Sequence, residues 1–126
     1  MIINLQDSAR KFLLDESDQW LANGWHLVKI DTVSLRKSKN QKEYIDFLCR
    51  CENGKAIGRF FLTPNALSFL ASFATKCFEC QASSLEEFDP EELKGEEFWA
   101  YVQMNDYGWS QFTDWSHKAE HHANSN

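Results

Sequence analysis

Between Trp25 and Leu35 the chain reads WHLVKIDTVSL, and its side chains sort with a period of two. His26, Val28, Ile30, Thr32 and Ser34 fall on one side, and Trp25, Leu27, Lys29, Asp31 and Val33 on the other. That period predicts a long strand beginning near Trp25. YIDFLCRC gives a second strand, with Tyr44, Asp46, Leu48 and Arg50 on one face and Ile45, Phe47, Cys49 and Cys51 on the other. The mixed face, carrying Tyr44 and Arg50, is expected to point outward. AIGRFFL gives a third, in which Ile57, Arg59 and Phe61 alternate with Gly58, Phe60 and Leu62. Asn53-Gly54 lies between the second and third and supplies the positive φ values of a two-residue hairpin. Residues 25 to 62 therefore read as a three-stranded antiparallel meander.

The period then changes. Thr63 and Pro64 suit the cap and first position of a helix, and Leu67, Leu70, Ala71 and Ala74 follow at helical spacing. Asp89-Pro90 opens a one-turn helix, PEEL, which Gly95 closes. EFWAYVQM is a fourth strand, NDYG a turn and WSQFTDW a fifth strand. At the N-terminus Leu5, Ala9, Phe12, Leu13 and Trp20 predict a helical extension over residues 1–22, broken at Gly24. Residues 117–126 are polar and aperiodic and read as a disordered tail. The expectation is one domain over 1–116, mainly β with helices. Three strands, a helix and two further strands is the element order of the OB-fold, a small Greek-key barrel, although an SH3-like barrel or an open α+β sheet would give a similar string.

Charge changes this picture. The protein carries a net −6 over 126 residues, yet Lys29 to Arg59 holds eight Lys/Arg against four Asp/Glu, and the remainder five against fifteen. Four of those cations fall in RKSKNQK, residues 36–42, between the first two strands. In an OB-fold this connection flanks the nucleic-acid groove. Arg36, Lys37, Lys39 and Lys42 are thus candidate phosphate contacts, with Lys29, Arg50, Lys55 and Arg59 adding charge from the strands and the hairpin. Single strands also need aromatic faces on which bases stack. Trp25, Tyr44, Phe47, Phe60 and Phe61 lie in or beside these strands. Alternation favours Tyr44 over Phe47 and makes Arg59 with Phe61 a cation-plus-aromatic pair. The plainer alternatives are a solvated turn and core aromatics.

Other chemistry finds less support. No run approaches the roughly 18 apolar residues of a membrane span, and the first residues lack a cationic segment followed by an apolar one, so a cytosolic location is expected. Cys49, Cys51, Cys77 and Cys80 match a zinc site in number, but C-x-C with C-x-x-C is not the spacing of two knuckles, and Cys49 and Cys51 read as small core residues. CFEC near a helix end lacks the helix N-terminus that lowers a thiol pKa. His117, His121 and His122 sit in the tail. No nucleophile elbow, phosphate-cradling glycine loop or metalloprotease helix is present in the sequence, and neither enzyme activity nor a cofactor is expected. LEEFDPEELKGEE, with seven acids and one lysine, reads as a solvated acidic face.

FDPEELKGEEFWAYV, with its acidic-proline-acidic turn, L-x-G and alternating strand, resembles small phage and prophage proteins related to single-stranded-DNA-binding OB-folds. GWHLVKID, YIDFLCRCENGKAIGRFFLTPNALSFLASF and the basic loop between them are similar to the front half of that family, so the likeness spans roughly residues 20 to 115. It implies an accessory role in the DNA replication or recombination of a phage or mobile element. The partner would be single-stranded DNA, or RNA, bound without sequence preference and without catalytic residues. Gly95 corresponds to the structural glycine before the fourth strand, and residues 36–42 to the variable groove loop. The rival expectation is a small acidic inhibitor of a host defence complex, of the anti-CRISPR or anti-restriction type. It would use the face around Glu86, Glu87, Glu91 and Glu92 either for contact with a protein partner or to imitate nucleic acid.

Overall fold

The computed structural model describes residues 19–78, 88–120 and 122. Its elements are β1 (Gly24–Lys37), β2 (Glu43–Cys51), β3 (Gly54–Phe61), α1 (Leu67–Phe78), a 3-10 turn (Pro90–Leu93), β4 (Glu97–Met104) and β5 (Ser110–His117). The five strands close into a ring in the order β1-β2-β3-β5-β4, with β1 pairing β4 across the closure. All contacts are antiparallel except β3 with β5. With α1 between β3 and β4, this is an OB-like barrel.

Closure depends on β1, which serves two neighbours. Its first half, Gly24 to Lys29, pairs with β4, and its second, Lys29 to Lys37, with β2. The register shifts between Ile30 and Thr32, so Asp31 is an extra residue that bends the strand and reverses its alternation. His26, Val28 and Ile30 are buried before the shift, whereas Val33 packs against the core after it. Strict alternation groups Val33 with Trp25 and Leu27; the bulge instead turns it toward the core that holds Val28 and Ile30.

Inside the ring Phe47, Phe60, Phe73, Phe98 and Phe112 are each at most 4 % exposed. Their rings meet at 4.9 to 6.1 Å, mostly tilted or edge-on, the arrangement that the aromatic quadrupole favours. α1 plugs the barrel with Leu70, Phe73, Ala74 and Cys77, one helical face. It begins at Leu67, three residues beyond Pro64: the Thr63 carbonyl accepts the amides of Ala66 and Leu67 first, at 2.9 and 3.0 Å. Asp89 caps the 3-10 turn by accepting the Glu91 amide at 3.0 Å, and Gly95 follows with φ +88°.

Three expectations are corrected. The β2–β3 loop is Glu52-Asn53, one position earlier than expected, and Gly54 opens β3 at φ +145°. Residues 19–22 are extended rather than helical, and Trp20 bridges Lys55; the rest of the expected N-terminal helix, residues 1–18, lies outside the described residues. The tail is ordered at its start. His117 ends β5, and His122 stacks on Trp25 at 4.0 Å while its Nε2 lies 2.6 Å from Ser116 Oγ. Residues 121 and 123–126 lie outside the described ones. Among the described residues no helix is long and apolar enough to cross a membrane.

Candidate nucleic-acid interface

The strand registers fix which outward side chains are neighbours. Across β1, β2 and β3 they form four transverse rows: Arg36–Tyr44–Phe61, Ser34–Asp46–Arg59, Thr32–Leu48–Ile57 and Lys29–Arg50–Lys55. Along β3 the outward residues are therefore Phe61, Arg59, Ile57 and Lys55, all half-buried, with β2 on one flank and the start of β5 on the other.

Pairs of aromatic rings, each followed by a cation, run along that line. Tyr44 and Phe61 have ring centroids 5.3 Å apart. The Arg59 guanidinium lies 4.3 Å from the Tyr44 centroid and 5.3 Å from that of Trp109. Trp109 and Trp20 are 6.3 Å apart, and Lys55 Nζ sits 4.6 Å over the Trp20 ring. The result is a strip running Phe61, Tyr44, Arg59, Trp109, Trp20, Lys55.

Local chemistry holds Arg59, Trp20 and Trp109 in place. Arg59 is clamped by Asp46, whose Oδ1 and Oδ2 accept from Nε at 2.8 Å and Nη2 at 3.0 Å. These hydrogen bonds push the guanidinium pKa further up, against the opposing pull of burial. Asp46 is buried, so Arg59 presents its planar faces and rim more than an uncompensated charge. Trp20 is carried by an extended segment in which the Leu21 amide donates to Lys55 O at 2.9 Å and the Lys55 amide to Gln19 O at 2.7 Å. A side chain on Gly54 would overlap the Gln19 carbonyl, so glycine there lets that segment approach. Trp109 is set by Asn105, whose Oδ1 accepts the amides of Tyr107 at 3.0 Å and Trp109 at 3.2 Å. Tyr107, on the same β4–β5 connection, is 87 % exposed.

The basic stretch is a strand end plus a tight turn. Arg36 and Lys37 belong to β1, where Arg36 faces Tyr44, and only residues 38–42 form the connection. Ser38 closes it: its amide donates to Lys42 O, its carbonyl accepts from Gln41, and its Oγ accepts the Lys42 amide at 3.2 Å. Arg36, Lys37, Lys39 and Lys42 are all exposed beside the Tyr44–Phe61 end.

Of the sequence candidates, Tyr44, Arg59 and Phe61 are brought together and Arg36 adjoins them. Lys29 and Arg50 lie at the far end of the sheet, where they line a cavity of about 450 Å³ with Asp31, Glu52 and Glu97. Arg50 Nε is 3.2 Å from Asp31 Oδ2. Acid therefore offsets both cations. Phe47 and Phe60 are core, and Trp25 packs on Tyr101 at 5.4 Å and on His122, on the outer face of β1 and β4. Trp20 and Trp109 escaped the sequence reading. The connection between strands four and five is the second groove loop of an OB-fold, a signal that would have found Trp109. Trp20 was absorbed into a helical stripe.

Cys49 and Cys77 are buried and their thiols are pushed up by desolvation, Cys77 to about 12. Cys51 is half-buried, and Cys80 lies outside the described residues. Among the described residues no three His, Cys, Asp or Glu converge as a metal site. Glu91 and Glu92 lie on the 3-10 turn; Glu86 and Glu87 lie outside the described residues. No protein-family model matches the chain, and no curated protein is significantly similar to it.

Proposed function

We propose that the protein binds single-stranded nucleic acid across the outer face of β2 and β3, as a non-enzymatic accessory factor in the replication or recombination of a phage or mobile element. The supporting observation is the continuous strip from Phe61 to Lys55, flanked by the basic β1–β2 turn at one end and the β4–β5 connection at the other. Six residue steps at about 3.3 Å give it a length of roughly 20 Å, which suits the short end of the roughly 4 to 16 nucleotides an OB-fold covers.

The division of labour follows from the chemistry. Tyr44, Phe61, Trp109 and Trp20 offer faces to bases, and Arg59, held flat by Asp46, continues the stacking surface. Arg36, Lys37, Lys39 and Lys42 meet phosphates as exposed cations. A π-face accepts any base, so affinity from this strip tolerates sequence.

Two sets of variants test the division. Tyr44→Ala and Trp109→Ala should each weaken binding of a single strand by about 1–3 kcal/mol, roughly 5- to 150-fold, without altering its salt dependence. Changing Arg36, Lys37, Lys39 and Lys42 to Gln should flatten that dependence. A Tyr44→Ala/Trp109→Ala double variant that binds like the wild type would overturn the proposal.

A further inference from the structure

We propose that the cavity between β3 and β5 is a pocket for one nucleobase, giving the strip a base preference at a single position; this rests on the single-strand reading above. The two strands pair at one register, Ile57 with Gln111. Past that point they part around a cavity of about 310 Å³ whose lining includes Arg59, Phe61, Phe69, Gln111, Thr113 and Trp115. Arg59 and Phe61 also belong to the strip, so a strand stacked along Tyr44 and Phe61 passes the mouth of this cavity.

The edge of β3 gives the pocket its means of discrimination. The Leu62 amide donates to Glu43 O at 2.9 Å, which makes Leu62 and Glu43 a hydrogen-bonded pair of the β2–β3 ladder. In an antiparallel ladder such pairs alternate with pairs whose N–H and C=O point away from the partner strand. Arg59 and Phe61 are in the second class, so their backbone donors and acceptors turn toward β5 and the cavity. The Gln111 side-chain NH2, whose Oε1 accepts from Asn105 at 3.5 Å, adds a donor, and the exposed Thr113 hydroxyl adds a donor and an acceptor. Phe69 stands at the rim, 59 % exposed near the start of α1, an apolar ring that the core does not use. Aromatic walls and a fixed polar edge are what an unstacked base requires.

The test is fluorescence anisotropy with labelled oligo(dT), oligo(dC) and oligo(dA) of about 12 nucleotides, using wild type, Phe69→Ala and Thr113→Val. Both side chains are exposed, and unchanged melting curves would show that the variants are folded. Wild type should separate its best from its worst strand by about tenfold or more. Each variant should bring the three affinities to within about twofold of one another, near the wild-type value for the worst strand. Equal wild-type affinities, or a preference that survives both substitutions, would overturn the pocket while leaving single-strand binding standing. Failure to bind any of the three would overturn both.

Discussion

Asp46→Asn should pull stability and binding in opposite directions. In the wild type two charge-assisted hydrogen bonds, at 2.8 and 3.0 Å, join Asp46 to Arg59. A carboxamide keeps the shape and one acceptor, but its NH2 group then faces an Arg59 donor. Hydrogen bonds to charged groups contribute about 1.5–3 kcal/mol, against roughly 0.5–1.5 for neutral ones. The Arg59 side chain is 32 % exposed, so water restores part of the loss. The net cost should be about 1–2 kcal/mol, a fall in Tm of roughly 4–8 °C for a domain of this size. Single-strand binding should tighten at low salt, because Arg59 loses its counterion within the strip. The slope of log K against log salt should steepen by about 0.7, one additional phosphate contact. Thermal melts and salt-dependent titrations measure both. An unchanged slope would refute the placement of Arg59 in the groove, and an unchanged Tm would refute the role given to its clamp.

Two predictions concern the fold itself. Gly58→Ala should cost about 3 kcal/mol in chemical denaturation, because a Cβ there would overlap the Phe112 ring, which is buried and locked against Phe60, Phe73 and Phe98. Adding Phe112→Leu should recover part of that loss; strictly additive effects would mean the ring is not the obstacle. The second prediction follows from the buried thiols. Cys77 ionises near 9.0 when exposed and at about 12 when folded, so its contribution to stability is complete below pH 9 and is lost as the pH rises toward 12. Denaturation at pH 8 and pH 10.5 should show the decline, reduced in Cys77→Ala; an equal decline in that variant would contradict the assignment. Mapping of thiol alkylation near pH 8 should find Cys51 modified well before Cys49 or Cys77.

How legible the site was in the sequence depended on distance along the chain. β2 could be faced because its Tyr44–Arg50 side is the mixed one, and alternation alone put Arg59 and Phe61 together on one side of β3. The bulge at Asp31 could not be read in the same way, since a single unpaired residue leaves no compositional trace, and strict alternation therefore separates Val33 from Val28 and Ile30, with which it shares the core. Trp109 joins Arg59 only because β5 runs parallel beside β3 after an excursion through α1 and β4, a contact no local pattern encodes. Trp20 was harder still: apolar spacing resembling a helix concealed an extended segment hydrogen-bonded to Lys55. Charge counting marked the basic turn but also gathered Lys29 and Arg50, whose acidic neighbours Asp31, Glu52 and Glu97 come partly from other strands.

Anisotropy of a labelled oligothymidine of about 30 nucleotides, titrated across a range of salt concentrations with a duplex as control, addresses the central claim most directly. Saturable binding with preference over duplex is predicted. If Arg36, Lys37, Lys39 and Lys42 each neutralise a phosphate, log K should fall against log salt with a slope of about −2.8, at roughly −0.7 per contact. No binding even at low salt, or equal affinity for duplex, would contradict the account and turn attention to the acidic surface around Glu91 and Glu92 and a protein target.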